Sequence, residues 1–379
     1  MNKSDWKSII DTALIDVERY LKDANIRIQP DVVPRRKKED KICRIIRKLF
    51  TLIKIKKHEV ESTLKINPAL INAPAFGPSF ENPKQILWRY QMFRETLLGV
   101  DNYAFVGSNL KDETSIKTLV WIMKFRLVFP FLGRDVHFLY PGPVTPEEYA
   151  SYYDSAKKIA DKQNLPNPVP ERFYICTWVL EHYRLKSICE VEDGDVVLDI
   201  GAYLGDTAIY FSEKCGGDGF VYAFEPLKSN AYKCKENVSE IKNIEVVEKA
   251  VSIKAGVSMF LDSGAGSRIV NSDFESDDHK LSVAVTSVDE FVTERGLRNV
   301  DFIKMDIEGG ERSAINGAAK TIKDLKPKMA ISVYHLEDDL WVILEMIKKI
   351  NSEYEFYLRH YTPWRSETTL FCVPTGHQI

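Results

Sequence analysis

From about residue 4 to residue 23, Trp6, Ile9, Ile10, Leu14, Val17 and Leu21 recur on one helical face, which predicts an amphipathic helix. Pro30 and Pro34 end it in a polar linker. A second stripe of Ile42, Ile45, Ile46, Leu49, Phe50 and Ile53 follows, with Arg44, Arg47, Lys48 and Lys54 mostly beside or opposite it. The stretch from Pro68 to Pro83, rich in Pro, Asn and Gly, reads as an irregular loop. After it come a helix over about 84–98, mixed aromatic segments running to Pro141-Gly142-Pro143, and a helix from near Pro146 to about Gln163.

The run Leu165-Pro166-Asn167-Pro168-Val169-Pro170 is the clearest linker in the chain. It divides a mainly helical N-terminal domain, 1–165, from a second domain, 166–379, a division that a length of 379 residues favours. Past a helix over about 171–184, short apolar strands alternate with helices, which predicts a doubly wound, mostly parallel α/β sheet. The expected strands are Val196–Gly201, Phe220–Glu225, Ile244–Val251, Val300–Asp306 and Met329–Tyr334. Tyr354–His360 and Thr368–Val373 read as an antiparallel C-terminal hairpin closing the sheet. An extra pair, around Ser258–Leu261 and Leu281–Ser287, fills the gap before the fourth main strand.

Charge changes the picture of the first domain. Eleven Lys and Arg stand against Glu39 and Asp40 between Arg35 and His58, a balance of +9; the net charge of -3 leaves -12 elsewhere. Such a segment either packs as a solvated amphipathic helix on its own domain or, over Arg35–Lys57, rests on an anionic membrane surface. Aromatics are sparse in it, so no nucleic-acid partner is expected. The six cysteines are scattered, without metal-ligand spacing, and the N-terminus carries acids where a signal peptide would be apolar. Leu119–Leu132 is broken by Lys124, Arg126 and Pro130 and is too short to span a bilayer. The expectation is a cytoplasmic protein, peripheral at most to the inner face of a membrane, with its oligomeric state open and a homodimer among the choices.

The segment Val196–Thr207, VVLDIGAYLGDT, carries the strongest chemical signal. A strand ends in Asp199, and Gly201 and Gly205 bracket a tight turn, with Ala202 and Tyr203 inside it, into a helix opened by Asp206 and Thr207. Dinucleotide folds have G-x-G-x-x-G here to hold a pyrophosphate. The second glycine of that pattern is missing, and the flanking carboxylates suit an α-amino group or a sulfonium-bearing amino acid better. Twenty-six residues after Asp199, the strand YAFEP ends in Glu225 and Pro226, an acid suited to the two ribose hydroxyls of an adenosine. Ala250 and Val251, at the tip of the third strand, are candidates for adenine contact or plain packing.

Asp306 and Glu308 end the fourth strand, on one side of it, at the rim where open α/β sheets bind ligands. The neighbouring strand ends at Tyr334-His335. A carboxylate and an imidazole there can deprotonate an attacking alcohol; equally, Asp306 can orient an amino group while His335 is a rim residue.

In order, DIGAYLGDT, YAFEP, TSVDEF, FIKMDIEGGE, SVYH and YLRHY…ETTLFCV resemble the FkbM family of methyltransferases dependent on S-adenosylmethionine (SAM), over about 175–375. The resemblance implies the class I methyltransferase (Rossmann-like) sheet and O-methylation of sugar or polyketide hydroxyls. Matching by motif, Asp199, Gly201, Gly205, Asp206 and Glu225 fall among cofactor residues, and Asp306, Glu308, Glu311 and His335 at or near the reaction centre. Tyr203 stands where similar sequences more often have Asn. The acceptor expected is a hydroxyl of a sugar or of a glycan or glycolipid precursor. Asp306 suits a cation, but no complete ligand set is visible, so no obligatory metal is expected. The rivals are an N- or carboxyl-methyltransferase and a non-enzymatic membrane- or partner-binding module with a vestigial SAM domain. An NAD-dependent oxidoreductase is disfavoured by the missing glycine.

Overall fold

A computed structural model describes residues 1–23, 92–132, 136–261, 268–269 and 280–376. The basic segment Arg35–Lys57 and the loop Pro68–Pro83 lie outside these residues. The chain divides into two compact units, one of Met1–Ser108 with Ile116–Thr145, the other of Asn109–Ser115 with Pro146–Ile379.

The described residues of the first unit are helical. Helix Lys3–Asp23 turns Trp6, Ile10, Ala13 and Leu14 inward, as its spacing predicts. A Cβ at Gly107 would come within 2.6 Å of the Trp6 ring, so this contact requires a glycine. The apolar stretch after Leu119 belongs to helix Glu113–Leu132, which buries Leu119, Met123, Leu127 and Val128. Among the described residues no helix is long and apolar enough to cross a membrane.

Among the described residues, eleven strands build the second unit: β1 Val196–Ile200, β2 Phe220–Phe224, β3 Ile244–Val247, β4 Ala250–Val251, β5 Gly256–Leu261, β6 Arg268–Ile269, β7 Lys280–Thr286, β8 Phe302–Met305, β9 Lys328–Ser332, β10 Tyr354–His360 and β11 Thr368–Pro374. Seven form one sheet in the order β10-β11-β9-β8-β1-β2-β3. The five strands from β3 to β9 are parallel, and β11 runs antiparallel to both β9 and β10. From β1 the chain steps outward to β2 and β3 and later returns to β8 on the other side. The order therefore reverses between β1 and β8, and a crevice opens beyond their carboxyl ends. Asp199 and Lys304 are register partners across that reversal.

Three expectations change. The strand expected over Ile244–Val251 breaks at Glu248-Lys249, where Lys249 N–H turns back to the Val247 carbonyl at 2.8 Å. Ala250–Val251 then leaves the main sheet and pairs with β7 in a separate sheet, β4-β7-β5-β6, over a core of Leu227, Ala250, Phe260, Val283 and Val285. The helix expected over about 171–184 is α-helical only to Tyr174 and continues as a π-turn, Ile175–Val179. The division between units falls at Thr145–Pro146 and not at residue 165. Helix Tyr153–Gln163 packs on the segment after the prolines. The proline run is itself strapped down, because Asn167 N–H donates to Asn237 Oδ1 at 2.8 Å and Asn237 Nδ2 donates back to the Asn167 carbonyl at 2.9 Å.

Candidate active site

The glycine turn is shaped by a close approach of two strand ends. Gly201 has φ +92°, and a Cβ there would lie 2.0 Å from the Asp306 carbonyl oxygen, so no other residue fits. Tyr203 is also left-handed, at φ +49°, a conformation that Asn adopts more readily than Tyr. Its ring lies against Phe173, with centroids 5.5 Å apart. Ala202 is buried, and its N–H donates to the Phe224 carbonyl at 2.9 Å.

Asp199 is fully buried and braces this turn from below. One carboxylate oxygen accepts from Thr207 Oγ1 at 2.6 Å, and the other lies 3.1 Å from Lys304 Nζ, which donates to the Gly201 carbonyl at 2.5 Å. Burial opposes the Lys304 charge, but Asp199, Asp306 and Asp206 together outweigh it and raise the ammonium pKa. Asp206 accepts from Thr177 Oγ1, within the π-turn, at 3.0 Å, and burial pushes its pKa up to about 6. At the tip of β2, Glu225 accepts from Leu227 N–H at 2.9 Å, and burial pushes its pKa up to about 7.

Two cavities meet over these residues. The smaller, about 70 Å³, is walled by Glu225, Pro226, Ala250, Val251 and Phe260. The larger is a cleft of about 440 Å³ bordered by Tyr149, Arg172, Phe173, Thr177, Asp206, Thr207 and Trp364, with His182, Tyr183, Lys304, Tyr334 and Glu367 also lining it. Gly201, Tyr203, Asp306 and Glu308 line both. One cavity thus has an apolar slot ending in a carboxylate, and the other a rim of carboxylates, phenols and an imidazole.

A family profile for the methyltransferase FkbM domain matches residues 199–361, the stretch that carries both strand tips and the whole lining of the smaller cavity. Residues 199–361 are thus an FkbM methyltransferase domain by this match. The chain is 27% identical over 157 residues to the 2-O-methyltransferase NoeI of Sinorhizobium fredii, a match covering 37% of this chain and 64% of that protein. The crystal structure of methyltransferase FkbM from Methylobacillus flagellatus superposes with a TM-score of 0.51 at 22% identity, covering 74% of this chain and 60% of that one. The chain therefore spans less than two thirds of the length of either relative.

In the FkbM domain the carboxylate Asp306 is the most heavily tied group. Its Oδ2 accepts from Tyr183 OH at 2.6 Å, its Oδ1 lies 3.3 Å from His335 Nε2, and Tyr334 OH is 3.3 and 3.4 Å from the two oxygens. Burial would raise its pKa, but His335, Lys304 and Tyr183 together hold it well below the usual carboxylate range. His335 lies between carboxylates: Nδ1 is 3.0 Å from Glu311 Oε1, and Nε2 is 3.6 Å from Glu308 Oε2. Burial disfavours its charge, yet Glu311 and Asp306 outweigh this and raise its pKa well above 6.5. His335 lines neither cavity. Against the expectation that His335 faces the acceptor as a base stand its place behind the rim and the neighbouring carboxylates, which favour the charged ring. Glu308 does face both cavities, from a left-handed backbone at φ +55°.

Several site groups escape the sequence reading. His182 follows the π-turn, and burial pushes its pKa down to about 4, leaving the imidazole neutral at neutral pH. Glu367, from the chain just before β11, has its pKa pushed up to about 8 by burial and by repulsion from Asp306. The ETT of ETTLFCV and the EHY before β1 are the only traces of them in the sequence.

The pocket fits SAM on its own chemistry. Glu225, buried and with a raised pKa, gains from hydroxyl donors such as those of a ribose, and the Ala250, Val251 and Phe260 walls suit a purine. Asp206 and Asp306 border the side on which an amino-acid portion would lie. Asp199 and Gly205 line neither cavity, so they shape the turn.

Proposed function

We propose that this protein is a SAM-dependent methyltransferase that methylates a hydroxyl group of a sugar or of a glycan or glycolipid precursor. The observation that carries the reading is the sharing of Asp306 and Glu308 by the two cavities, one suited to an adenosyl group and the other to an acceptor. The aromatic rim supports a sugar: Trp364 is 44% exposed beside Tyr149, an apolar face of the kind that carbohydrate rings stack on. The name of the relative from Sinorhizobium, a 2-O-methyltransferase, points the same way.

When bound, SAM supplies a methyl group already activated by its sulfonium. The chain has to align the acceptor oxygen and take its proton. Glu308 is the proton acceptor in this reading, because Asp306 is held ionised by Tyr183 and His335 and is the weaker base. Asp306 orients, and His335, clamped by Glu311, keeps Asp306 and Glu308 in position.

The test is titration calorimetry with SAM, followed by transfer of labelled methyl to a panel of sugars, nucleotide sugars and glycolipids. Micromolar SAM binding and an alkali-stable methyl ether on a sugar product are expected. Absence of SAM binding to the folded chain would overturn the assignment, and label on an amine or as an alkali-labile ester would move it to N- or carboxyl-methylation.

A further inference from the structure

The acceptor cleft brings several carboxyl groups and a buried imidazole together at one end. Asp306, Glu308 and Glu367 all line it. Of the buried cations nearby, Lys304 pairs with Asp199 and also favours the ionised Asp306, and His335 is shared between Glu311 and Asp306. Arg172, the other cation of the cleft, is exposed and lies over the Phe173 ring, 4.7 Å from its centroid.

His182 adds a second, independent sign. Its side chain is 5% exposed, and neither ring nitrogen makes a hydrogen bond, although the Cys176 carbonyl is close enough to favour the charged ring. An imidazole so buried ordinarily pairs both nitrogens. Its Nε2 is directed at Glu367 Oε2, 3.6 Å away, too far for a hydrogen bond. The backbone holds the ring there, since His182 N–H donates to the Cys176 carbonyl at 3.0 Å and Thr369 Oγ1 donates to the His182 carbonyl at 3.1 Å.

We propose that His182, Asp306 and Glu367 form a divalent-cation site in the cleft, taking an Mn²⁺-type ion that binds the acceptor hydroxyl. One nitrogen of His182 and one oxygen from each carboxylate lie within 4.8 Å of one another. Ligands at about 2.1 Å from a six-coordinate ion are about 3 Å apart, so loading needs the carboxylates to rotate inward by up to about 2 Å. The donor set, one imidazole and two carboxylates, suits a borderline-hard divalent ion. Three of six positions are supplied, and the rest open on the cleft. Tyr183 and Tyr334 hold Asp306 by hydrogen bonds, as outer groups orient metal ligands elsewhere. A sugar hydroxyl bound to the ion gives up its proton more readily, which makes Glu308 an adequate acceptor.

Asp306, Glu308 and His335 form a rival cluster of the same kind. It is the weaker host, because His335 Nδ1 lies 3.0 Å from Glu311 Oε1 and the ring does not line the cleft, whereas His182, Asp306 and Glu367 all do.

The inference rests on the proposal that this cleft receives the acceptor, and its test is separable from that one. The full chain, stripped with a chelator, is titrated with Mn²⁺ alone and followed by electron paramagnetic resonance and calorimetry, while SAM affinity is measured on the same samples. One Mn²⁺ per chain is expected, with affinity at least about tenfold weaker in His182→Gln and in Glu367→Gln and SAM binding unchanged. Equal melting temperatures of the variants keep misfolding from mimicking the loss. No Mn²⁺ binding by a chain that still binds SAM would overturn the cation site and leave the methyltransferase reading intact. Binding lost in His335→Gln but kept in His182→Gln would overturn this site in favour of the rival cluster. Failure to bind SAM would strike the methyltransferase reading itself.

Discussion

His335 Nδ1 lies 3.0 Å from Oε1 of Glu311, a fully buried carboxylate whose same oxygen accepts the Ile307 N–H at 2.8 Å. One side chain thus fixes both the loop that presents Glu308 and the ring that steadies Asp306. Removing the ring strands buried carboxylates, so His335→Ala should cost about 3–5 kcal/mol of stability. The sign with pH follows from a folded pKa raised above 6.5. The contribution is fully present below about pH 6.5 and is lost as pH rises through the raised folded value. Urea melts should show the gap between wild type and mutant shrinking toward alkaline pH. A gap that is constant or widens with pH would mean that the ring is neutral in the fold.

Glu225 gives a pH dependence to cofactor binding. Burial raises its pKa to about 7, so near neutrality much of the free protein carries it protonated. Ribose hydroxyls donate to the carboxylate, so SAM affinity should rise as pH rises through about 7 and fall by up to about tenfold per unit below it. Glu225→Gln should bind more weakly, by about 1–3 kcal/mol, and lose this dependence. Calorimetry from mildly acid to mildly alkaline pH decides it; a flat wild-type curve removes Glu225 from the ribose.

For proton removal the contrast is between Glu308 and His335. Glu308→Gln should lower single-turnover methylation at saturating SAM by about 10²–10⁴ while leaving SAM affinity nearly unchanged. His335→Gln should retain more activity than Glu308→Gln, since it positions and does not receive the proton. The reverse ranking would return the role of base to the imidazole.

The basic segment Arg35–Lys57 is testable without knowing its conformation. If it meets an anionic membrane surface, co-sedimentation with phosphatidylserine vesicles should fall steeply with salt, because surface attraction is screened within about 8–10 Å at physiological ionic strength. Absence of binding at low salt would leave it as a helix packed on its own domain.

Much of the FkbM domain is readable along the chain because its signals are local. The strand run to Asp199, the glycines at the turn, the acid ending β2 and the carboxylates ending β8 each lie within a dozen residues, and alternation with helices orders them in a parallel sheet. Gly201 is predictable as a glycine from the turn alone. That the Asp306 carbonyl is what excludes a Cβ there is a fact of two strands meeting.

What only tertiary structure decides is which ionisable groups face the cleft and which are spent on one another. His335 and Glu308 look alike from the sequence, both at strand tips, yet one sits against Glu311 and lines neither of the two cavities while the other lines both. His182, far upstream, and Glu367, just before the last strand, meet at Asp306 only because the π-turn and the antiparallel β11 return to the same sheet end. The same holds for the residue 165 linker: proline composition marks a stiff segment, but whether it separates two units or straps one together is set by Asn237, seventy residues away. Local propensity acts over a few residues, whereas burial and charge pairing act through space, and they govern which carboxylate or imidazole keeps a free face.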